Sequence, residues 1–210
     1  MKIARLIAIV VLHMWCNAAH AQTSVSQRAQ ALQKLEEDLN AGDPNLRIAA
    51  LEYAMENGSI AEKERAYRIA IASSDVVMKS LAIRYRICGS KRITLNYPVP
   101  PGHGPDGYAK NRGFISLNGL TNLDVKKCDV QSGNLEVAIP LSGNAYEKSW
   151  GVANISGTEM KINFAFNLGS KWNANCDTLV SIRDGAVLKG RMSCNWHGEV
   201  FGPVDVQATL

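Results

Sequence analysis

The sequence predicts an α+β protein, in which a short N-terminal helical-repeat array of four helices precedes an antiparallel β-barrel or sandwich of eight to nine strands. Three observations carry that prediction. Apolar residues recur at helical spacing through residues 24–87, where Pro44 is the sole proline. After Gly89 the apolar period shortens to two, while glycine, asparagine and threonine become frequent. Four of the five cysteines lie beyond residue 87, an even set of the kind that staples an exported chain.

The N-terminus explains why oxidised cysteines are expected. Lys2 and Arg5 form a basic start, residues 6–12 are apolar, and Ala19, His20 and Ala21 give a small-x-small triplet ahead of Gln22. This is the pattern of a secretory signal peptide over residues 1–21, cleaved after Ala21, so the chain is expected in the periplasm or outside the cell. His13, Met14 and Trp15 before Cys16 do not fit a lipid-attachment site. Removing the leader takes two bases and no acid from 23 basic and 19 acidic residues, leaving a net charge near +2. That balance excludes a generic nucleic-acid binder, and the longest apolar run is too short to span a bilayer.

The helical segment is expected over residues 22–89. The first helix, residues 26–40, carries Ala29, Leu32, Leu35 and Leu39 on one face and stops at Ala41 and Gly42. The second opens with Asp43 as N-cap and Pro44 at the first helical position, where a missing N–H costs nothing, and ends near Asn57 and Gly58. Ser59 and Glu62 form a capping box for the third. The fourth begins at Ser74 and Asp75 and stops at Cys88 and Gly89.

Helices two and four share a pattern. Asp43, Leu46, Arg47, Ala50, Leu51 and Tyr53 return 32 residues later as Asp75, Met78, Lys79, Ala82, Ile83 and Tyr85. Residues 42–87 thus resemble HEAT-type helical repeats, although Val76 replaces the proline of the first copy. The resemblance implies a role in protein contacts. One and a half repeats are too few to bury a continuous core alone, so the array needs further support.

The β-domain is expected over residues 90–210. Leu135, Val137 and Ile139 share one strand face; Met160, Ile162, Phe164 and Phe166 share another. Val180 with Ile182, Leu188 with Met192, and Val204, Val206 and Ala208 continue the series, joined by residues 93–97 and 113–117. Between those last two, the loop at residues 98–107 holds four prolines and three glycines, which excludes a strand interior.

One hairpin is legible in detail. Thr178, Val180 and Ile182 are inward on one strand, and Leu188, Gly190 and Met192 on the next, so paired numbers must sum to an even total. A plain two-residue Asp184-Gly185 turn gives an odd sum and is excluded unless a bulge intervenes. The sum 370 pairs Ile182 with Leu188 and places Cys176 directly opposite Cys194. Direct neighbours approach disulfide geometry, whereas a two-residue offset does not. The expected bridges are therefore Cys176–Cys194 and, from the remaining pair, Cys88–Cys128. No two cysteines have the close spacing of a structural zinc site, so no metal is expected.

Catalytic groups are scarce. The mature chain holds two histidines, His103 in a turn-rich loop beside Asp106, and His197 after Asn195 and Trp196. There is no Gly-x-Ser-x-Gly elbow and no phosphate-binding glycine loop. Asp106, Glu147, Glu159, Glu199 and Asp205 could supply a carboxylate pair, but spacing does not say which of them meet. No catalytic residue and no cofactor is assigned. The binding candidates are Trp172, Asn173, Asn195, Trp196 and His197, because an aromatic face edged with amides suits a sugar or a protein hot spot, and both tryptophans leave one end of the locked hairpin. The resulting expectation is an exported, non-catalytic binding protein that mediates protein–protein contacts in the cell envelope or outside the cell. The alternatives are a glycan-binding β-module and, third, an envelope-polymer hydrolase.

Overall fold

A computed structural model describes residues 25–98, 119–139, 150–167, 173–184, 187–196 and 199–209. Four helices precede eight strands: α1 (residues 25–39), α2 (Pro44–Asn57), α3 (Ile60–Ala72), α4 (Val76–Gly89), β1 (Arg92–Asn96), β2 (Leu120–Asp129), β3 (Asn134–Ala138), β4 (Trp150–Ser156), β5 (Glu159–Asn167), β6 (Asn173–Asp184), β7 (Val187–Trp196) and β8 (Glu199–Thr209). The chain divides into two compact units, residues 1–69 and 70–210. The division falls within α3, whereas composition changes at Gly89. Residues 1–24, including the expected signal peptide, lie outside the described residues, as do residues 113–117.

In the first unit each helix begins where its local chemistry dictates. Asp43 accepts the Asn45 N–H at 2.9 Å and Pro44 occupies the first turn of α2. The capping box is formed: the Ser59 N–H donates to Glu62 Oε2 at 2.7 Å, and the Glu62 N–H donates to Ser59 Oγ at 3.4 Å. Each bond satisfies a donor that a helix start leaves orphaned. Leu39, Leu51, Ala54, Ala66 and Tyr67 are buried, and Arg65 on α3 pairs with Glu36 on α1.

The second unit is a closed barrel in which every strand pairs antiparallel with its sequence neighbours and β8 returns to β1, with Leu95 opposite Ala208. Full closure removes both sheet edges, and it decides for a barrel over a sandwich. Eight strands enclose a space about as wide as their inward side chains. Ile93, Leu95, Leu123, Leu135, Val137, Ile155, Met160, Ile162, Phe164, Val180, Leu188, Met192, Val206 and Ala208 fill it. Tyr97 is buried with them, its hydroxyl 3.0 Å from Thr121 Oγ1. Burial drives the Tyr97 phenol well above its ordinary pKa, and the Thr121 contact works against that shift.

Helix α4 belongs to the barrel. Asp75 caps it by accepting from the Val77 and Met78 N–H groups, and Ile83 and Ile87 join the barrel core. Arg84 donates to the carbonyls of Val130 and Gln131 in the β2–β3 turn, and Cys88 is bonded to Cys128 on β2. In that turn Gly133 has φ +73°, a region that L side chains rarely adopt. The turns β2–β3, β4–β5 and β6–β7 thus share the end that α4 occupies. The opposite end, where β1 meets β2 and β3 meets β4, is here called the far rim.

The central hairpin has the expected register: Ile182 faces Leu188, Val180 faces Gly190 and Cys176 faces Cys194. Cys176 and Cys194 are disulfide-bonded, with Cα atoms 4.0 Å apart. A bulge between Ile182 and Asp184 lets Asp184 pair with Val187, reconciling a short turn with an even-sum register. A Cβ at Gly190 would strike the Leu179 carbonyl, so the close strand approach there requires glycine.

Two strands, β2 and β4, are not marked individually by apolar alternation. In β2, Thr121 occupies an inward position and a bulge between Val125 and Lys127 breaks the period. In β4 the inward residues are Gly151, Ala153 and Ile155, while Trp150 and Val152 point outward. The large apolar residues of β4 are therefore split between its two faces, with Ile155 inward and Trp150 and Val152 in solvent.

Candidate functional site

Two surfaces of different chemistry stand out among the described residues. The first lies between α1 and α2. Ala31 and Leu35 on α1, with Leu46, Ala50 and Tyr53 on α2, line a groove of about 420 Å³. Spacing of i, i+4 and i+7 puts Leu46, Ala50 and Tyr53 on one stripe of α2. Leu51 is buried on another, with Ala54 buried between the two and also lining the groove, so α2 is apolar on two faces. Tyr53 is 70% exposed and Leu46 45%. Lys34, Asp38 and Glu62 form the rim, where Lys34 Nζ lies 2.6 Å from Asp38 Oδ1. The Ser59 hydroxyl and then its amide hold the Glu62 carboxyl below its ordinary pKa. Two carboxylates against one ammonium leave the rim anionic.

The second surface is the outer wall of the barrel. Outward residues form rows across the strands: Val152, Asn163, Asp177 and Ser193 in one, and Ala165, Asn175 and Asn195 in the next toward the far rim. Trp150, 62% exposed, stands at the far-rim end of β4. Nearer α4, Glu159, Leu179, Ser181, Lys189, Arg191, Asp205 and Gln207 line a shallow groove of about 600 Å³. Arg191 Nε and Asp205 Oδ1 are 3.8 Å apart and both side chains are largely exposed, so the pair adds little stability.

The expected binding residues fare unequally. Trp172 and His197 lie outside the described residues, as do His103, Asp106 and Glu147. Asn173 and Trp196 are strand-end positions of β6 and β7, and their side chains lie outside the description. The register pairs Ala174 with Trp196, so positions 173 and 196 come to neighbouring places on the far rim. Asn195 is exposed on the outer wall opposite Asn175.

Of the five candidate carboxylates, Glu159 and Asp205 are described with their side chains. They stand on β5 and β8, three strand spacings apart, or about 14 Å at roughly 4.8 Å per strand. Among the described residues no three His, Cys, Asp or Glu side chains cluster as metal ligands.

The exposed position of Trp150 was not singled out by the sequence pattern. The signal that could have found it is the alternation of Trp150, Val152, Asn154 and Ser156 with small Gly151 and Ala153, which reads equally well with either face inward. Comparison of the chain with protein-family models, with curated proteins and with solved structures finds no match.

The two disulfides are consistent with an extracellular or periplasmic protein. No described helix is long and apolar enough to cross a membrane.

Proposed function

We propose that this chain is an exported binding protein whose helical segment holds an amphipathic helix of a partner protein in the α1–α2 groove. The observation that carries this reading is the second apolar face of α2. Leu46, Ala50 and Tyr53 line an open groove, while their counterparts Met78 and Ala82 in α4 are fully buried. The HEAT-like pattern of residues 42–87 supports a helix as the occupant, because stacked helical repeats cover such a face with another helix. A groove of about 420 Å³ takes two or three apolar side chains, and its anionic rim favours basic residues flanking them. The basic, apolar and small-residue N-terminal pattern and the two disulfides support export.

The test places a photo-crosslinking amino acid at Tyr53, and at Glu136 on the barrel as control, in the full chain exported by its own cells. The Tyr53 site should label one partner segment, with an apolar stripe and flanking bases, that binds the native chain as a synthetic peptide. Leu46→Asp and Tyr53→Ala should each weaken that peptide at least about 10-fold, as loss of an interface anchor does. Labelling no stronger than at Glu136, or native peptide affinity in both variants, overturns the reading.

A further inference from the structure

The barrel wall carries a second binding chemistry, separate from the helical groove. Trp150 pairs with Ala138 on β3, and it stands one register step beyond the Gly151 to Phe164 pair, abreast of Ala165 on β5. Both flanking residues are alanine, and the indole is 62% exposed. Along β4, Val152 is 49% exposed and extends the apolar strip by one position.

Across the wall from this strip the chemistry changes. Asn163 on β5 and Asp177 on β6 continue the row of Val152, and Asn175 on β6 continues the row of Ala165; all three are exposed. On β5 to β7 the first bases, Lys161 and Arg191, appear one row nearer α4. Trp150 and Asn175 are two strand spacings apart, about 10 Å. That span is longer than a single sugar ring.

An indole face takes the C–H face of a pyranose, while amides and a carboxylate take its hydroxyls as donors and acceptors. A protein hot spot would instead surround the tryptophan with apolar contacts that exclude water. Here, beyond Ala165 and Val152, the wall toward β6 carries hydrogen-bonding groups. An anionic polymer is disfavoured by Asp177, and the lysine of its row, Lys127 on β2, is already paired with Glu136.

We propose that Trp150, Asn163, Asn175 and Asp177 form a binding site for a polysaccharide chain of uncharged pyranosides lying across β4 to β6. Trp150 is the stacking platform, and the other three orient the hydroxyls. This site is independent of the helical groove, so either can fail without the other.

The test uses the full exported chain. Co-sedimentation with cellulose, chitin and the β-1,3-glucan curdlan comes first, followed by titration with soluble oligosaccharides of whichever polymer is retained. The native chain should be retained by at least one polymer. Trp150→Ala should weaken the oligosaccharide at least 10-fold at unchanged melting temperature, Trp150→Phe should keep most of the affinity, and Asp177→Asn or Asn175→Ala should lose several-fold. Leu46→Asp in the helical groove should bind the sugar as the native chain does. Retention by none of the three polymers, full affinity in Trp150→Ala, or a melting temperature lowered by that substitution overturns the proposal.

Discussion

Helices α2 and α4 carry the same pattern 32 residues apart, and the structure treats their faces differently. Each opens on an aspartate cap, Asp43 or Asp75, and each buries the same core position, Leu51 or Ile83. The remaining positions diverge: Met78 and Ala82 are buried, whereas Leu46 is exposed and Ala50 half-buried. Within its unit α4 is held three ways, by Ile83 and Ile87 in the barrel core, by Arg84 on two turn carbonyls and by the Cys88–Cys128 bridge. Helix α2 contains no cysteine, its Arg47 donates to the Ala41 and Gly42 carbonyls just before the helix, and its second face opens on a groove. The difference teaches that capping and periodicity make a helix, but neighbours decide how many of its apolar faces are covered.

The largest test of this comparison removes the covalent hold on α4. Replacing Cys88 and Cys128 together by alanine frees a loop with a sequence separation of 40, and should cost about 4 kcal/mol of stability in urea unfolding. The same treatment of Cys176 and Cys194, separated by 18, should cost about 3 kcal/mol. A loss below about 1 kcal/mol for the first pair would assign the hold on α4 to packing and Arg84 alone, since it falls far under the loop-closure value.

A sharper test compares equivalent side chains. Met78→Ala deletes a fully buried side chain and should cost about 2–5 kcal/mol, whereas Leu46→Ala, already half in water, should cost under about 1 kcal/mol. Equal losses would mean that Leu46 is covered in solution, and sedimentation would then reveal self-association.

The smallest effect concerns pH. The carboxyls of Glu62, at the start of α3, and Asp129, in the β2–β3 turn, lie below their ordinary values because they accept hydrogen bonds from Ser59 and from Ser132 and Gln131. The fold therefore favours their ionised forms. Their contribution is complete at neutral pH and is lost as pH falls through the carboxylate range. An NMR titration should place the Glu62 midpoint below 4.5, and Ser59→Ala should move it back toward that value.

Much of the architecture was legible because its causes are local. The caps at Asp43 and Asp75 and the Ser59–Glu62 box each depend on residues within one turn. The parity argument on Thr178, Val180, Ile182, Leu188 and Met192 works because a strand alternates faces without exception, so one register aligned Cys176 with Cys194 and left Cys88 for Cys128. The choice between barrel and sandwich was not legible. It depends on the pairing of β1 with β8, two strands from opposite ends of the β-domain whose sequences carry no mark of each other.

Helix type, helix limits, hairpin register and disulfide pairing follow from the sequence by itself, because each rests on short-range geometry and a period of 3.6 or 2. Tertiary structure alone decided that the inward face of β4 is Gly151, Ala153 and Ile155, leaving Trp150 outside on a wall of amides, and that α2 keeps an uncovered apolar stripe while α4 does not. Exposure is a property of what lies opposite a residue, and that partner is brought there by a closure no local stretch of chain encodes.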